Sequence, residues 1–339
     1  VLVQSLSYGG TAIASTRSNA DGTSLGFLMP AQTTTDQVLL TTKGGSVVFR
    51  IVATPTITRI SNENASPGDS VYIYGTYLKN IQELLFAGTA ITSFESSADG
   101  SSVGFVLPAI SQSGPVSVTT QFGTATTLYN VNDIATGAIS NWEWSGMFNW
   151  QWWGGATLTS GDPNSGWPPY NADFPGNSSL YMVLQNGILA SGEGDTYSSY
   201  AIRMNAGQWV PAANLNDPVG NWAFKFEVNI PDPWNGGTID IQSSDNTYIA
   251  RYEPWQISPG TTAAYATNGW RTVTIPFTMF RKADPVSGEG KGASLTKFTD
   301  LLGATGSSEC TMYIHNYSSS ETATGFYGAF DNLRVVKIK

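Results

Sequence analysis

An internal repeat constrains this chain more than any other feature. Gly10-Thr11-Ala12-Ile13 returns as Gly88-Thr89-Ala90-Ile91, Ala20-Asp21-Gly22 as Ala98-Asp99-Gly100, and Gly26-Phe27 as Gly104-Phe105. Pro30-Ala31 returns as Pro108-Ala109 and Thr41-Thr42 as Thr119-Thr120, and every match keeps the same offset of 78 residues without a gap. Two copies of one folding unit therefore stand in tandem. The second copy opens with Pro55-Thr56-Ile57, passes through Ser66-Pro67-Gly68-Asp69 and continues in Val71-Tyr72-Ile73-Tyr74-Gly75. That pattern is strand, turn, strand. The counterpart of this opening in the first copy falls before Val1, so the chain is expected to be part of a longer protein with any targeting signal upstream.

Alternation fixes the class of the repeated unit. Val71 and Ile73 face one way and Tyr72 and Tyr74 the other, and Val116 and Val118 repeat the pattern. Short alternating segments cut by Gly, Pro and Asn predict a small Ig-like β-sandwich. Neither copy contains a tryptophan or histidine, which makes them spacers. The expected organisation is a truncated Ig-like unit at 1–53, a complete one at 54–131 and a larger β-sandwich at 132–339, all-β throughout.

All 11 tryptophans lie in that last region. Its strands are clear: Trp222, Phe224, Phe226, Val228 and Ile230 alternate with Ala223, Lys225, Glu227 and Asn229, predicting a half-buried strand with Trp222 in the core. Val273, Ile275 and Phe277 form another inward set. Met312 and Ile314 oppose Tyr313, His315 and Tyr317. The only helical period runs from Leu295 to Leu302, with Ser294 as cap and Gly303 as stop.

A pyranose offers a flat C–H face and a rim of hydroxyls, which indoles and polar side chains match. The densest aromatic run is Trp142-Glu143-Trp144 with Trp150-Gln151-Trp152-Trp153-Gly154-Gly155. On strands, Trp142 would share a face with Trp144, and Trp150 with Trp152. Trp234, between prolines and glycines, is expected on an open loop, and Trp167 with Tyr170 on another. Arg251 and Glu253 share a parity with Tyr252 opposite and Trp255 following. The pair either brackets sugar hydroxyls or forms an ion pair. Trp209 and Trp270 precede strands and are expected to cap the core. The ligand-binding set is thus Trp234, Tyr252, Trp255, Arg251, Glu253, Trp152, Trp153 and Trp167.

Charge and chemistry narrow the partner. The formal net charge is −9, of which −7 lies after residue 131. That field suits a neutral ligand and argues against nucleic acid or an anionic membrane surface. The single cysteine, Cys310, excludes an internal disulfide, and the sole histidine, His315, would lie about 16 Å away on an extended strand, too far for a dyad. No Cys/His zinc spacing occurs and no cofactor is expected, although carboxylates and carbonyls leave room for a structural Ca²⁺.

The Pro-x-Ile opening with Pro-Gly-Asp-x-Val-x-Ile-x-Gly resembles the IPT/TIG type of Ig-like domain. Together with Trp-Trp-Gly-Gly, Arg-Tyr-Glu-Pro-Trp and the ending Phe330-Asp331-Asn332-Leu333-Arg334-Val335, it resembles the surface glycan-binding proteins of Bacteroidetes polysaccharide-utilisation loci, with a C-terminal xyloglucan-binding-type domain. The resemblance implies a jelly-roll-like sandwich that holds a β-glucan (mixed-linkage glucan, laminarin or xyloglucan) without cleaving it. It also implies a lipid anchor on the outer face of the outer membrane and transfer to a glycan importer. By the same likeness Trp234, Tyr252 and Trp255 gain weight. Two alternatives stay open: a sandwich glycoside hydrolase, which needs two carboxylates across a cleft (Glu143, Asp195 and Glu253 are the nearest candidates), and a protein-binding adhesin.

Overall fold

The computed structural model describes residues 3–28, 37–51, 54–152, 154–195 and 200–339. They form antiparallel sheets that pack as two compact units, Val1–Ser61 with Ser70–Thr127, and Asn62–Asp69 with Leu128–Lys339.

The first unit holds both repeats. In the second copy, Thr89–Ala90, Glu83–Phe86, Val116–Thr120 and Gly123–Thr126 form one sheet, and Glu95–Ser96, Ser102–Val106, Ser70–Thr76 and Thr56–Ile60 form the other. The 78-residue offset holds in the cores: Leu6, Tyr8 and Val38 are buried, as are Leu84, Phe86 and Val116. The first copy repeats the first sheet, but its second has only Thr16–Ser18 and Leu25–Phe27 among the described residues. Leu25 and Phe27 are half-buried there, whereas their counterparts Val103 and Phe105 are buried. The difference follows from the strand Ser70–Thr76, which pairs with Ser102–Val106 and brings Val71 and Ile73 into the second copy's core.

The second unit is a two-sheet sandwich. One sheet runs in the order Thr157–Ser160, Leu180–Leu189, Thr322–Lys337, Trp222–Asn229, Arg271–Pro276, with Ala138–Ser140 paired to the end of Thr322–Lys337. The other runs Ala201–Gln208, Ser307–His315, Thr238–Ser243, Ile249–Tyr252, Phe280–Arg281. Their facing side chains make one core that includes Phe224, Phe226, Ile239, Ile241, Met312 and Phe330. Cys310 lies in it, and burial pushes its thiol well above the ordinary value. His315 is half-buried on the opposite face of the same strand.

Two expectations need correction. Trp222–Asn229 is buried on both faces, not one. Its polar face is tolerable because the charges are paired: Lys225 Nζ lies 2.5 Å from Glu63 Oε1, and Arg334 lies 2.7 Å from Glu63 and 2.8 Å from Glu227. Lys225 also sits 3.3 Å from the centre of the Tyr129 ring. Burial alone would raise the Glu63 carboxyl, yet Lys225 and Arg334 hold it below its ordinary value. The predicted helix shrinks to one turn, Thr299–Leu302, closed by Gly303 at φ 65°. Ser294 forms a β-bridge with Arg281 instead of capping. Leu295, Phe298, Leu301 and Leu302 are nonetheless all buried, as their spacing requires.

Candidate functional site: an aromatic shelf and a polar sheet face

The described residues of the segment joining Ala138–Ser140 to Thr157–Ser160 form no strand, so strand parity does not govern their tryptophans. Polar side chains set their directions. Asn141 Oδ1 accepts the Glu143 and Met147 N–H groups at 3.1 and 2.8 Å, while its Nδ2 donates to Ile134 O. Asn149 Nδ2 donates to Asn205 O at 2.9 Å and its Oδ1 accepts the Asn205 N–H at 2.8 Å. Gln151 N–H donates to Arg203 O at 2.9 Å, and Gln151 Oε1 accepts from Arg203 Nε at 3.1 Å. Asn149 and Gln151 thus staple the segment to the edge strand Ala201–Gln208. Trp142 goes into the core, Trp150 packs partly against it, and Trp144 and Trp152 face solvent. The equal-parity pairing of Trp142 with Trp144 and Trp150 with Trp152 is therefore corrected.

Trp144, Trp152 and Trp167 are 54 %, 55 % and 61 % exposed. Their ring centroids lie 5.8, 6.0 and 6.5 Å apart in a near-equilateral triangle, with planes within 24° of one another. A column of stacked rings cannot give three equal separations, so the three are offset, nearly parallel faces. Phe148 supports Trp144 at 4.2 Å and Trp150 supports Trp152 at 4.7 Å. Trp152 holds φ 57°, a left-handed conformation that a bulky side chain adopts only under constraint. Three half-exposed indoles gathered on one surface have no packing role of their own. Trp153 lies outside the described residues. Trp144 and Phe148 were missed as ligand candidates because nothing in their local pattern separates them from Trp142.

The second predicted region divides. Trp234 is fully buried; its Nε1–H donates to Gly236 O at 2.6 Å and its ring packs 5.0 Å from Phe326. This corrects the expectation of an open loop: Trp234 bridges to Tyr265, and the adjoining glycines allow the chain to fold the indole inward. Tyr252 also points inward, 5.7 Å from Phe226, and burial raises its hydroxyl well above the ordinary value. Trp255 packs half-buried against the core, with Nε1–H donating to Gly237 O at 2.9 Å. Trp209 and Trp270 are buried, as expected of caps.

Arg251 and Glu253 do share a face, the outer one of the second sheet, and they form an ion pair at 2.5 Å. Glu253 also accepts from Thr238 Oγ1 at 2.7 Å. On the same face the Arg251 guanidinium lies 3.9 Å from the centre of the Tyr317 ring, and His315 stacks on Tyr317 at 4.0 Å and 8°. Tyr317 Oη donates to Asp240 Oδ2 at 2.7 Å. Burial, opposed by that hydrogen bond and by Arg251, pushes the Asp240 carboxyl up to about 8. Of the carboxylates weighed for hydrolysis, Glu143 accepts the Leu180 N–H at 2.7 Å, and Glu253 is committed to Arg251. Among the described residues no group of three His, Cys, Asp or Glu is placed to hold a metal ion, and no helix is long and apolar enough to cross a membrane.

Family profiles match part of each unit. The IPT/TIG domain profile matches residues 55–132. The surface glycan-binding protein PbSGBP-B from Prevotella bryantii is similar over 99 % of this chain and 90 % of its own, with TM-score 0.69 and 18 % identity. An SGBP-B from a complex xyloglucan utilization locus in Bacteroides uniformis is similar over 99 % and 92 %, with TM-score 0.55 and 18 % identity. A structure with xylogluco-oligosaccharide matches over 99 % and 73 %, with TM-score 0.59 and 20 % identity. At these identities the likeness is one of fold. No curated protein matches the chain. The profile of the surface glycan-binding protein B xyloglucan binding domain matches residues 131–337, well over half the chain, and the chain belongs to that family.

Proposed function

We propose that this protein binds a β-glucan, xyloglucan first among them, without hydrolysing it, and that Trp144, Trp152 and Trp167 form its landing surface. The observation that carries the proposal is the triangle of nearly parallel, half-exposed indoles. Each stacked ring contributes about 0.5–1.5 kcal/mol beyond the area it covers. Three rings plus burial at about 25 cal/mol per Å² reach roughly the micromolar range once the cost of association is met. Family membership and the likeness to a fold seen with xylogluco-oligosaccharide favour a β-glucan as ligand. The negative charge after residue 131 favours a neutral one. A place on the cell surface, a lipid anchor and a glycan importer as partner belong to the same proposal and rest on the family.

Affinity electrophoresis tests it. Xyloglucan, mixed-linkage glucan or laminarin in the gel should retard the protein, and Trp152→Ala should restore its mobility without changing its melting temperature. Sustained release of reducing ends from any of these glucans would overturn the non-catalytic assignment.

A further inference from the structure

Two local costs meet at the indole shelf. Trp152 holds φ 57°, in the left-handed region where a side chain of its size is strained. Trp150, whose ring centre lies 4.7 Å from that of Trp152, keeps its indole N–H buried with no hydrogen-bond partner among the described residues. Such features persist only where the surroundings over-determine them.

Here the surroundings are two side chains and an open strand edge. Ala201–Gln208 is the outermost strand of its sheet, so its free side presents N–H and C=O groups that no neighbouring strand takes. Asn149 satisfies both of those on Asn205, accepting the N–H at 2.8 Å and donating to the carbonyl at 2.9 Å. Gln151 donates its backbone N–H to Arg203 O at 2.9 Å and its Nε2 to Met204 O at 3.4 Å. Gln151 Oε1 in turn accepts from Arg203 Nε at 3.1 Å. Arg203 is buried, and its Nη2 lies 3.8 Å from Glu309 Oε2. A guanidinium is planar and rigid, so fixing it fixes the direction of the Gln151 amide. On the far side of Trp152, Gly154 lies so close to the Ala201 carbonyl that a Cβ there would stand 2.4 Å from it. The Trp152 backbone is thus pinned before and after the turn, at two points of one strand.

We infer that Arg203 and Gln151 are positioning residues of the shelf: they hold Trp152 in its left-handed turn, so that the three indoles stand assembled before a sugar arrives. Both polar ends of the Gln151 side chain are spent on the strand edge, so it acts through Trp152 rather than on the sugar. A shelf present only part of the time binds more weakly by that fraction. The inference rests on the proposed glycan binding and adds what sets its strength.

Two readouts on the full chain test it. Near-parallel indoles this close couple their ultraviolet transitions and give a paired positive and negative band in circular dichroism, and Trp152→Ala sets the baseline without the shelf's share. Gln151→Ala should weaken binding of a xylogluco-oligosaccharide roughly fivefold by titration calorimetry and shrink the paired band of the free protein towards that baseline. Gln151→Glu keeps an acceptor for Arg203 Nε and should retain both band and affinity. Arg203→Ala should act as Gln151→Ala does; should it fold poorly, the two Gln151 variants carry the test. The inference is overturned if Gln151→Ala binds like wild type, or if its affinity falls while the band of the free protein stays whole. Wild type that binds no glucan overturns the proposed function and this inference together, whereas wild type that binds while Gln151→Ala loses nothing overturns this inference alone.

Discussion

Two tryptophan-bearing stretches of the same sandwich, 142–167 and 230–255, look alike in composition and behave oppositely. In the second, Trp234 and Trp255 each donate the indole N–H to a backbone carbonyl, of Gly236 and Gly237, and pack on the core. Trp209 and Trp270 find backbone carbonyls in the same way, and Trp222 donates to the Asp217 carboxylate. In the first, Trp144, Trp152 and Trp167 stay half-exposed and stack on one another. The difference is not in the indoles or in the Gly and Pro around them. It lies in whether the fold supplies a carbonyl at the depth of the ring, or instead uses Asn and Gln to tie down the backbone and leave the ring free. Trp142 and Trp150 are intermediate, buried at Nε1 without a partner, and Trp150 lies directly under the shelf.

The largest expected effect falls on the buried member of the contrast. Trp234→Ala should lower stability by about 3–5 kcal/mol, read by chemical denaturation; a loss under about 1 kcal/mol would mean the ring is not structural. Next comes the sheet face. Asp240 is held protonated above its unfolded range by burial, facing Tyr317, Arg251, Glu253, Glu289, Tyr313 and His315. A raised carboxyl stabilises the fold below its unfolded value of 3.8, and that contribution is lost as pH rises to about 8. Asp240→Asn should therefore flatten the decline in stability across that window by an amount on the order of a few kcal/mol. Equal slopes for variant and wild type would show that Asp240 titrates normally.

The shelf should respond in the other quantity. Trp152→Ala should weaken glucan binding by about 1–2 kcal/mol, roughly tenfold, with stability changed by no more than ~0.5 kcal/mol; a large stability loss would erase the contrast between the stretches. The smallest effect is expected at Tyr170, 44 % exposed but not stacked with the three indoles. Tyr170→Ala should change affinity by less than about twofold, and a larger loss would show that exposure, not membership of the stack, defines the site.

Much of the fold could be read from the sequence because it is written in short-range signals. The repeat offset located equivalent core residues, and alternation gave the correct faces at Val71 to Tyr74, Met312 to His315 and Arg251 to Glu253. What escaped depends on residues far apart in the chain. Lys225 and Glu227 read as a solvated face because their partners, Glu63 and Arg334, are invisible to a local window. Trp152 and Trp167 are exposed, and so is Trp144, which sequence parity grouped with buried Trp142 because its direction is set by Asn141 and Asn149. Trp234 failed for the reverse reason: a Pro- and Gly-rich context marks a turn and does not say which way the ring goes.

The exposure of the indole triangle has a consequence for retention. Exposed rings grip the middle of a polymer as readily as its ends and release it without needing to open, so any single encounter is brief. Holding a long glycan then depends on how many such surfaces one strand meets at once. Each additional engagement raises the local concentration for the next and can multiply the overall grip by about 10²–10⁴, so the density of copies, more than the strength of any one, sets how long the polymer stays.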